Sequence, residues 1–379
     1  EETFTVKLVV FLTRGSSLVK WRDRGIVNRD LQVYVDLAAI CNVDLVVVTY
    51  GDETDCDVRS EHEISVFPIY KYLKRSENPL LDCIKSLALP WILHREIGRE
   101  VKYVLCHQVW GGWVALMFCK LCATNLMVRV GYEPYMNLTN ANDKFTKRIA
   151  VYMGIFFVYH FAKKILVSAN HIKEFLVEKY YVSPGCIKVI PNGCDTRKFA
   201  ITKRWHERDN AVLFVGRVAK EKQIEVLVEA VSKLDLAVYI VGGGDNKDLE
   251  QIEEASQKFN VEVYFLGQVD NSEIPALLNR FKYFCLPSAY EGNPKSLIES
   301  MSCGTLVFCS DCDGNREIVE HGYNGFLHRS VDDLVRNLSL ASHSAETSQK
   351  IASNARKTAE ARFSFDYVGA RFAGELVDS

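Results

Sequence analysis

The chain has 379 residues, of which 48% are apolar and 25% are charged, and its formal net charge is -2. This length predicts two domains, and the balanced charge argues against a nucleic-acid-binding protein. The 12 cysteines favour a reduced, cytoplasmic chain with buried thiols, because several of them lie inside apolar runs.

Short apolar strands alternate with helical segments through the first half of the chain. A helix is predicted at Asp30–Ile40 from its apolar spacing. The predicted strands are Val6–Leu12, Asp44–Thr49, Val101–Cys106, Leu126–Val130 and Lys164–Ser168. Strands of this kind, separated by helices, predict a parallel sheet with helices on both faces.

One segment of this half is unusually apolar and aromatic. It runs from Ile149 to Ala162 and is flanked by two pairs of basic residues, Lys147 with Arg148 and Lys163 with Lys164. The run is too short to span a bilayer. It fits a buried core helix, and it also fits a helix that lies on a membrane surface with basic edges. We therefore expect residues 145–164 to contact the cytoplasmic face of a membrane if one side of the helix stays exposed.

A second series of strands and helices begins near Ala211 and predicts a second doubly wound unit. The polar segment Thr202–Asn210 separates the two series and is predicted to be the linker. The predicted domains are 1–203 and 204–360, with a last helix at 361–379 that packs back on the first domain. The predicted strands are 211–215, 237–241, 261–266, 283–287 and 305–310, and the helices between them are 225–233, 248–259, 274–280 and 295–302.

The strongest site pattern is EGNPKSLIE, residues 291–299, which follows a predicted strand and opens a predicted helix. Gly292 and Pro294 suit the turn, and the free N–H groups at a helix start attract anions. We expect a diphosphate there, with Glu299 near a ribose and Glu291 near a donor-sugar hydroxyl. The backbone donors predicted for the phosphates belong to Asn293, Lys295, Ser296 and Leu297.

Two basic residues follow the first strand of the second half. The segment VGRVAKEK, residues 215–222, contains Arg217 and Lys222 beside a predicted helix start. Cations there suit a leaving diphosphate, which gains negative charge in the transition state.

Glycines follow the next strand. The segment VGGGD, residues 241–245, contains Gly242 and Gly244, and glycine lets a backbone approach a nucleotide closely. The turn that ends at Val269 is expected to receive the edge of the base.

These motifs together resemble the C-terminal half of the retaining glycosyltransferases of family four, which have the GT-B fold. The resemblance extends to SMSCG, to EIVEHGYNGFL (Glu317–Leu327) and to VIPNGCDTRKF (Val189–Phe199). It implies two Rossmann-like domains that face each other across a cleft, the first binding the acceptor and the second the nucleotide-sugar donor. The implied activity is transfer of a sugar from a nucleotide-diphosphate sugar to a glycan, lipid-linked or small-molecule acceptor.

The resemblance also implies roles for particular residues. Arg217 and Lys222 would hold the diphosphate, Glu299 would bind the ribose, and Glu291 would contact the donor sugar. The expected catalytic residues are Glu291, Arg217, Lys222 and His107.

Acceptor contacts are expected from the first half. Gly15 ends the first strand, where its backbone could meet the donor phosphate or the acceptor. The family often has a histidine where this chain has Val130, and two alternatives follow: Arg129 or Glu133 replaces its role, or the mechanism does not need it. A packed tryptophan and a structural histidine are the alternatives for Trp21 and His107. The acceptor-side candidates are Trp21, Arg22, His107, Arg129 and Glu133.

Neither a metal nor another cofactor is predicted. The DxD-like segments Asp55–Asp57 and Asp311–Asp313 resemble a metal motif of a different glycosyltransferase architecture, and here basic residues and a helix start are expected to act on the diphosphate. The CxxC pairs at 119–122 and 309–312 lack the spacing of a zinc ribbon. Two rival functions remain open: a nucleotide-sugar epimerase or hydrolase of GT-B type, and a non-catalytic nucleotide-sugar-binding subunit.

Overall fold

The computed structural model describes residues 6–58, 64–74, 85–98, 100–140 and 144–377. The chain forms two compact units, Glu1–Ile190 with Gly369–Ser379 (unit 1) and Pro191–Val368 (unit 2). Each unit is built on its own parallel sheet covered by helices, which confirms the predicted α/β class with two Rossmann-like domains.

The sheet of unit 1 has the strand order β3-β2-β1-β4-β5-β6-β7 within the described residues, and every pair of neighbours is parallel. Its strands are buried on both faces, which explains why they are continuous apolar runs rather than alternating ones. The strands are β1 Lys7–Phe11, β2 Asp44–Thr49, β3 Ser65–Pro68, β4 Val101–Cys106, β5 Leu126–Val130, β6 Lys164–Val167 and β7 Ile187–Val189.

Helices connect these strands and cover the sheet. Their bounds are α1 Leu18–Asp23, α2 Val27–Cys41, α3 Ile69–Tyr72, α4 Leu89–Ile97, α5 Gly112–Cys122, α6 Pro134–Asn140, α7 Phe145–Phe161 and α8 Asn170–Tyr180. The helix predicted at Asp30–Ile40 is α2, which ends where Asn42 adopts a left-handed conformation with φ 51°. No helix in the described ranges is both long enough and apolar enough to cross a membrane.

The sheet of unit 2 has the order β10-β9-β8-β11-β12-β13 within the described residues and is also parallel. Its strands are β8 Asp209–Val215, β9 Val238–Val241, β10 Val263–Gly267, β11 Phe281–Leu286, β12 Leu306–Ser310 and β13 Phe326–His328. Its helices are α9 Ile224–Val231, α10 Asn246–Phe259, α11 Ile274–Arg280, α12 Lys295–Ser302, α13 Asp313–Arg316, α14 Val331–His343 and α15 Ala345–Phe363, and a last helix, α16, spans Phe365–Val377.

The predicted boundary at 203/204 differs from the structure, in which unit 2 begins at Pro191. The reason is that the predicted linker is tied into unit 2 by hydrogen bonds. Arg208 is buried and donates to the carbonyl oxygens of Lys203, Gly304 and Cys303 at 2.8–3.3 Å. A segment fixed in this way belongs to the domain rather than to a flexible connection.

The predicted last helix at 361–379 is not assigned to one unit in the structure, because its residues belong partly to unit 2 and partly to unit 1. Cys194 N donates to Phe363 O at 2.7 Å, and Phe365 N donates to Cys194 O at 3.0 Å, so the chain up to Val368 stays with unit 2. From Gly369 onward it belongs to unit 1, where Lys164 Nζ contacts the Glu375 carboxylate at 3.1 Å. Residues 378–379 of the prediction lie outside the described residues.

Candidate active site

The loops after β8 and β11 lie side by side at the carboxyl edge of the unit 2 sheet. These two strands are neighbours, yet the chain runs outward from β8 in one direction and from β11 in the other. Such a reversal of strand order is where open α/β sheets bind ligands. The sequence motifs at 215–222 and 291–299 therefore meet at the switch point of the sheet.

Lys222 and Glu291 are in direct contact at this switch point. Lys222 Nζ donates to Glu291 Oε1 at 2.6 Å, and the two side chains are only 19% and 10% exposed. A pair so far removed from water interacts more strongly than a surface pair. The structure thus joins two of the predicted site residues across 69 positions of sequence.

Arg217 lies on the same loop but has a different environment. Its guanidinium contacts the Glu221 carboxylate, four positions further on, and its side chain is 71% exposed. The Glu221 carbonyl oxygen in turn accepts a hydrogen bond from Ala289 N at 2.8 Å. This backbone bond ties the loop after β8 to the loop after β11.

The start of α12 has the features of an anion site. Pro294 is its N-cap residue and makes no side-chain capping bond. The first N–H groups of a helix point out of its positive end, and in α12 these belong to Lys295, Ser296 and Leu297. Gly292, Lys295 and Ser296 are half-buried rather than covered. The junction therefore retains access for a ligand.

Asn293 holds this junction in place through two hydrogen bonds with Asn192, which also belongs to unit 2. Its side-chain Oδ1 accepts a hydrogen bond from Asn192 N at 2.7 Å, and its carbonyl oxygen accepts one from Asn192 Nδ2 at 2.6 Å. The asparagine of the PNG segment thus supports the turn before α12. Glu299, which lies one turn into α12, is buried.

The glycines after β9 serve chain packing. A Cβ on Gly242 would lie 1.8 Å from Gly216 O, and one on Gly244 would lie 2.2 Å from Val218 O. Gly242 also has a φ of 137°, which disfavours any other residue. The close approach that the structure shows is between the loops after β8 and β9, and the approach of a nucleotide to these glycines stays a prediction. Val269 lies two residues beyond the end of β10.

Two of the predicted residues of unit 1, Trp21 and His107, pack against each other, and His107 directly follows β4. Gly15 has a φ of 83° and lies in the loop between β1 and α1 rather than at the end of the strand, which is Phe11. Tyr34 Oη and His107 Nδ1 lie 2.5 Å apart, and the Trp21 ring centroid lies 5.1 Å from that of His107. Trp21 is buried, which fits the alternative of a packed tryptophan, and its contact with an acceptor stays a prediction. Arg22 lies at the surface beside Asp23.

The two residues expected to replace the family histidine are buried inside unit 1. Arg129 is 8% exposed and its guanidinium lies over the Phe372 ring. Glu133 is fully buried and accepts hydrogen bonds from Met136 N at 2.5 Å and Tyr180 Oη at 3.1 Å. Burial raises the pKa of Glu133 to about 7. Both residues lie buried among side chains of unit 1, and a contact of either with an acceptor stays a prediction.

The motifs set aside as metal sites have other contacts. Asp55 is buried, where it accepts hydrogen bonds from Val19 N and Thr49 Oγ1. Asp311 contacts Arg316 and Arg329. The described ranges contain no group of three or more acidic, histidine or cysteine side chains suited to a metal ion, and their eleven cysteines are free thiols.

Sequence reasoning missed Ser288 and Glu221. Ser288 Oγ donates to Glu291 Oε1 at 2.6 Å from a fully buried position. Ser288 directly follows Pro287 at the end of a predicted strand, and that position was a signal that could have found it.

Comparison with known families identifies the C-terminal half. Residues 195–358 match the family described as "Glycosyl transferases group 1". The match includes Arg217, Lys222, Glu291 and Glu299, and it confirms the resemblance stated from the motifs.

Curated relatives include two bacterial enzymes. The chain is 30% identical over 202 residues to the UDP-Gal:alpha-D-GlcNAc-diphosphoundecaprenol alpha-1,3-galactosyltransferase of Escherichia coli, which covers 48% of this chain and 52% of that protein. It is 27% identical over 266 residues to an N-acetylgalactosaminyltransferase of Campylobacter jejuni that acts on a diphospho-undecaprenol glycan, covering 67% and 70%. The chain thus spans about half the length of the first of these relatives.

Solved structures share the fold over nearly the whole chain. HepE of Anabaena in complex with UDP superposes with a TM-score of 0.78 at 17% identity, covering 99% of this chain and 100% of that one. Sucrose-phosphate synthase of Thermosynechococcus elongatus gives 0.77 at 19% identity, with 98% of each chain covered. At these identities the likeness establishes the GT-B fold alone.

Proposed function

Residues 195–358 belong to the glycosyl transferases group 1 family, and from that premise we propose that the chain transfers a sugar from a nucleotide-diphosphate sugar to an acceptor with retention of anomeric configuration. Unit 2 binds the donor in this proposal, and unit 1 supplies the acceptor contacts. The observation that carries it is the contact of Lys222 with Glu291 beside the open start of α12.

The chemistry follows from where charge develops. As the bond between the sugar and the diphosphate breaks, negative charge grows on the leaving nucleotide. Lys222, Arg217 and the N–H groups at the start of α12 are fixed donors that stabilise this charge more in the transition state than in the ground state. Removing one such donor lowers the rate by about 10²–10³. Glu291 binds a hydroxyl of the donor sugar and Glu299 the ribose.

His107 is retained as an acceptor-side candidate. Tyr34 holds its Nδ1 side, which orients the ring for a polar contact through Nε2. The proposed role is to bind or deprotonate an acceptor hydroxyl.

A panel of nucleotide sugars, assayed with and without glycan acceptors, tests the proposal. Sugar transfer that requires an acceptor is expected, and Arg217→Ala is expected to slow it by about 10²–10³. Arg280→Ala is the matched control, since Arg280 also pairs with one carboxylate, Asp209, but at the opposite end of β8. Acceptor-independent hydrolysis or epimerisation would favour the first rival function. Unchanged transfer by Arg217→Ala would refute the role of that residue.

We further propose that the acceptor is linked to a lipid diphosphate and that the chain reaches it as a peripheral protein on a membrane. Both curated relatives described above carry a diphospho-undecaprenol acceptor in their names. The helix α7 of this chain supplies the second support, since one of its faces is apolar and exposed.

The exposed face of α7 carries a stripe of large apolar side chains at every fourth position. Every member is between 44% and 68% exposed, while Ile155, Val158 and Tyr159 on the opposite face are buried in unit 1. The stripe consists of Phe145, Ile149, Met153, Phe157 and Phe161. An exposed apolar patch of this size marks an interaction surface.

Charge favours an anionic membrane as its partner. Residues 144–164 contain no acidic side chain, and the exposed Lys144, Lys147 and Lys163 stand near the two ends of the stripe. Lysines beside an apolar helix face suit anionic headgroups, each adding about 1 kcal/mol near the surface. Lys164 is excluded from this surface because it is bonded to Glu375 inside unit 1.

Flotation with vesicles of phosphatidylglycerol and phosphatidylcholine tests the membrane contact. Wild-type chain is expected to float with the anionic vesicles, and Met153→Asp combined with Phe157→Asp should abolish this. Leu340→Asp is the matched control, because Leu340 is 55% exposed on a helix of unit 2. Equal flotation of all three proteins, or no flotation of the wild type, would refute the membrane contact. The proposed transfer of a sugar from a nucleotide-sugar donor would not be affected by that result.

A further inference from the structure

Two donors converge on one oxygen of the Glu291 carboxylate. Lys222 Nζ and Ser288 Oγ each lie 2.6 Å from Oε1. Within the described part of the chain, Oε2 accepts no hydrogen bond. A carboxylate oxygen can accept two bonds, so the protein saturates Oε1 and leaves Oε2 for a ligand.

Ser288 is itself held in place by a hydrogen bond to its backbone. It is fully buried at the end of β11, and its carbonyl oxygen accepts a hydrogen bond from Ser310 Oγ at the end of β12. Asn315 Nδ2 donates to Ser310 O at 2.9 Å and to Ser310 Oγ at 3.2 Å. This partly buried chain of hydrogen bonds restrains its members. The chain thus runs from α13 through both strand ends to the Glu291 carboxylate.

The backbone of Glu291 is confined as well. A Cβ on Gly314 would lie 2.3 Å from Glu291 O and 2.5 Å from Gly292 O, so α13 packs directly against this turn. The terminal torsion of a glutamate is broad and has no sharp intrinsic preference. Its orientation must therefore come from its hydrogen-bond partners, Ser288 and Lys222.

We propose that Ser288 is a positioning residue that aims Glu291 Oε2 at a hydroxyl of the donor sugar. This inference rests on the proposed function only in that Glu291 contacts the sugar of a nucleotide-diphosphate donor. Lys222 alone would hold Oε1 from one side and leave the carboxylate free to turn. Ser288 supplies the second point of attachment, so discrimination for the sugar depends on a hydroxyl that does not contact it.

Binding measurements without turnover test this assignment. Affinities for UDP, GDP and ADP, and for the glucose ester of each, are measured by calorimetry. Ser288→Ala is expected to weaken binding of the preferred nucleotide sugar about tenfold and to leave the parent diphosphate unchanged. Ser348→Ala is the matched control, since Ser348 is also a buried serine, bonded to Ala341 O, in a distant helix of unit 2.

A double-mutant cycle separates positioning from a merely structural effect. If Ser288 acts through Glu291, then Ser288→Ala should have no further effect on sugar binding in a Glu291→Ala background. Ser288→Thr retains the hydroxyl and should restore sugar binding. Should Ser288→Ala melt below the working temperature, Ser310→Ala gives the same comparison, because Ser310 holds the Ser288 carbonyl.

Two results would overturn the assignment. One is an equal loss of diphosphate and nucleotide-sugar affinity in Ser288→Ala, and the other is a wild-type chain whose affinity gains nothing from the sugar on any of the three bases. A wild-type chain that binds a nucleotide sugar but transfers nothing would instead defeat the proposed catalysis and leave this assignment standing.

Discussion

Replacing Glu133 by glutamine should remove a pH dependence from the stability of the protein. The Glu133 carboxyl group is buried, and desolvation raises its pKa from 4.5 to about 7 in the folded chain, while hydrogen bonds from Met136 N and Tyr180 Oη lower it in part. Burial disfavours the charged form, so the folded state holds this proton more tightly than the unfolded state does.

The effect of Glu133 on the free energy of unfolding follows from the linkage between proton binding and folding. The stability that the protonated carboxyl group contributes is fully present below pH 4.5, declines as the pH rises, and is lost above about pH 7. The two pKa values correspond to a destabilisation of about 1 kcal/mol at pH 5 and about 3 kcal/mol at pH 8. The free energy of unfolding of the wild type should therefore fall by about 2 kcal/mol between these pH values through Glu133 alone.

Urea denaturation at pH 5 and pH 8 measures this difference. Glu133→Gln has no carboxyl group to ionise, so its free energy of unfolding should lack this pH-dependent fall of about 2 kcal/mol. Glu178→Gln is the matched control, because Glu178 is exposed on α8 and should behave as the wild type does. The reasoning fails if Glu133→Gln and the wild type lose the same free energy between the two pH values.

Other substitutions probe packing. Gly242→Ala should destabilise unit 2 by about 2–4 kcal/mol, because its Cβ would overlap Gly216 O; Gly374→Ala meets nothing within 4 Å and should be neutral or slightly stabilising in thermal melts. Arg208→Met should cost about 3–5 kcal/mol in urea denaturation, because several buried carbonyl oxygens would lose their donor. Asn293→Ala should lower nucleotide affinity several-fold by calorimetry, since the turn before α12 would lose its bond from Asn192 N.

The core strands were predictable because each is a continuous apolar run. Asp44–Thr49, Val101–Cys106 and Leu126–Val130 have the predicted bounds in the structure. The short edge strands β3, β7 and β13 were missed, since three or four residues give no period to recognise. They form because a neighbouring strand offers unpaired backbone groups, which is a tertiary effect.

The candidate site also has features that the sequence predicts and features that depend on tertiary structure. The positions of Lys222, Glu291 and the start of α12 followed from motifs, because each motif lies at a strand end and parallel strands share one carboxyl edge. The burial of individual side chains could not be predicted from the motifs. Trp21 and Glu133 have residue types suited to ligands, yet they lie in the core of unit 1, and only their tertiary neighbours determine this.

The two cations proposed to bind the diphosphate differ in how they can do so. Lys222 is held against Glu291 with both side chains mostly buried, and an ammonium group has three donors. One of them can remain on Glu291 while the others bind phosphate oxygens, so this pair need not break. Arg217 is 71% exposed and paired with Glu221 at the surface. Its contribution to diphosphate binding is therefore screened by salt, whereas that of Lys222 is screened less.

This difference predicts a separable salt dependence. For UDP or the diphosphate that binds best, the loss of affinity in Arg217→Ala should shrink markedly between 50 mM and 500 mM salt, because the Debye length falls from about 14 Å to about 4 Å. The loss in Lys222→Ala should change little over the same range, since its pair lies away from solvent. Calorimetry at both salt concentrations gives the two losses directly. Equal shrinkage in the two variants would mean that Lys222 meets the diphosphate in water rather than in the buried pair with Glu291.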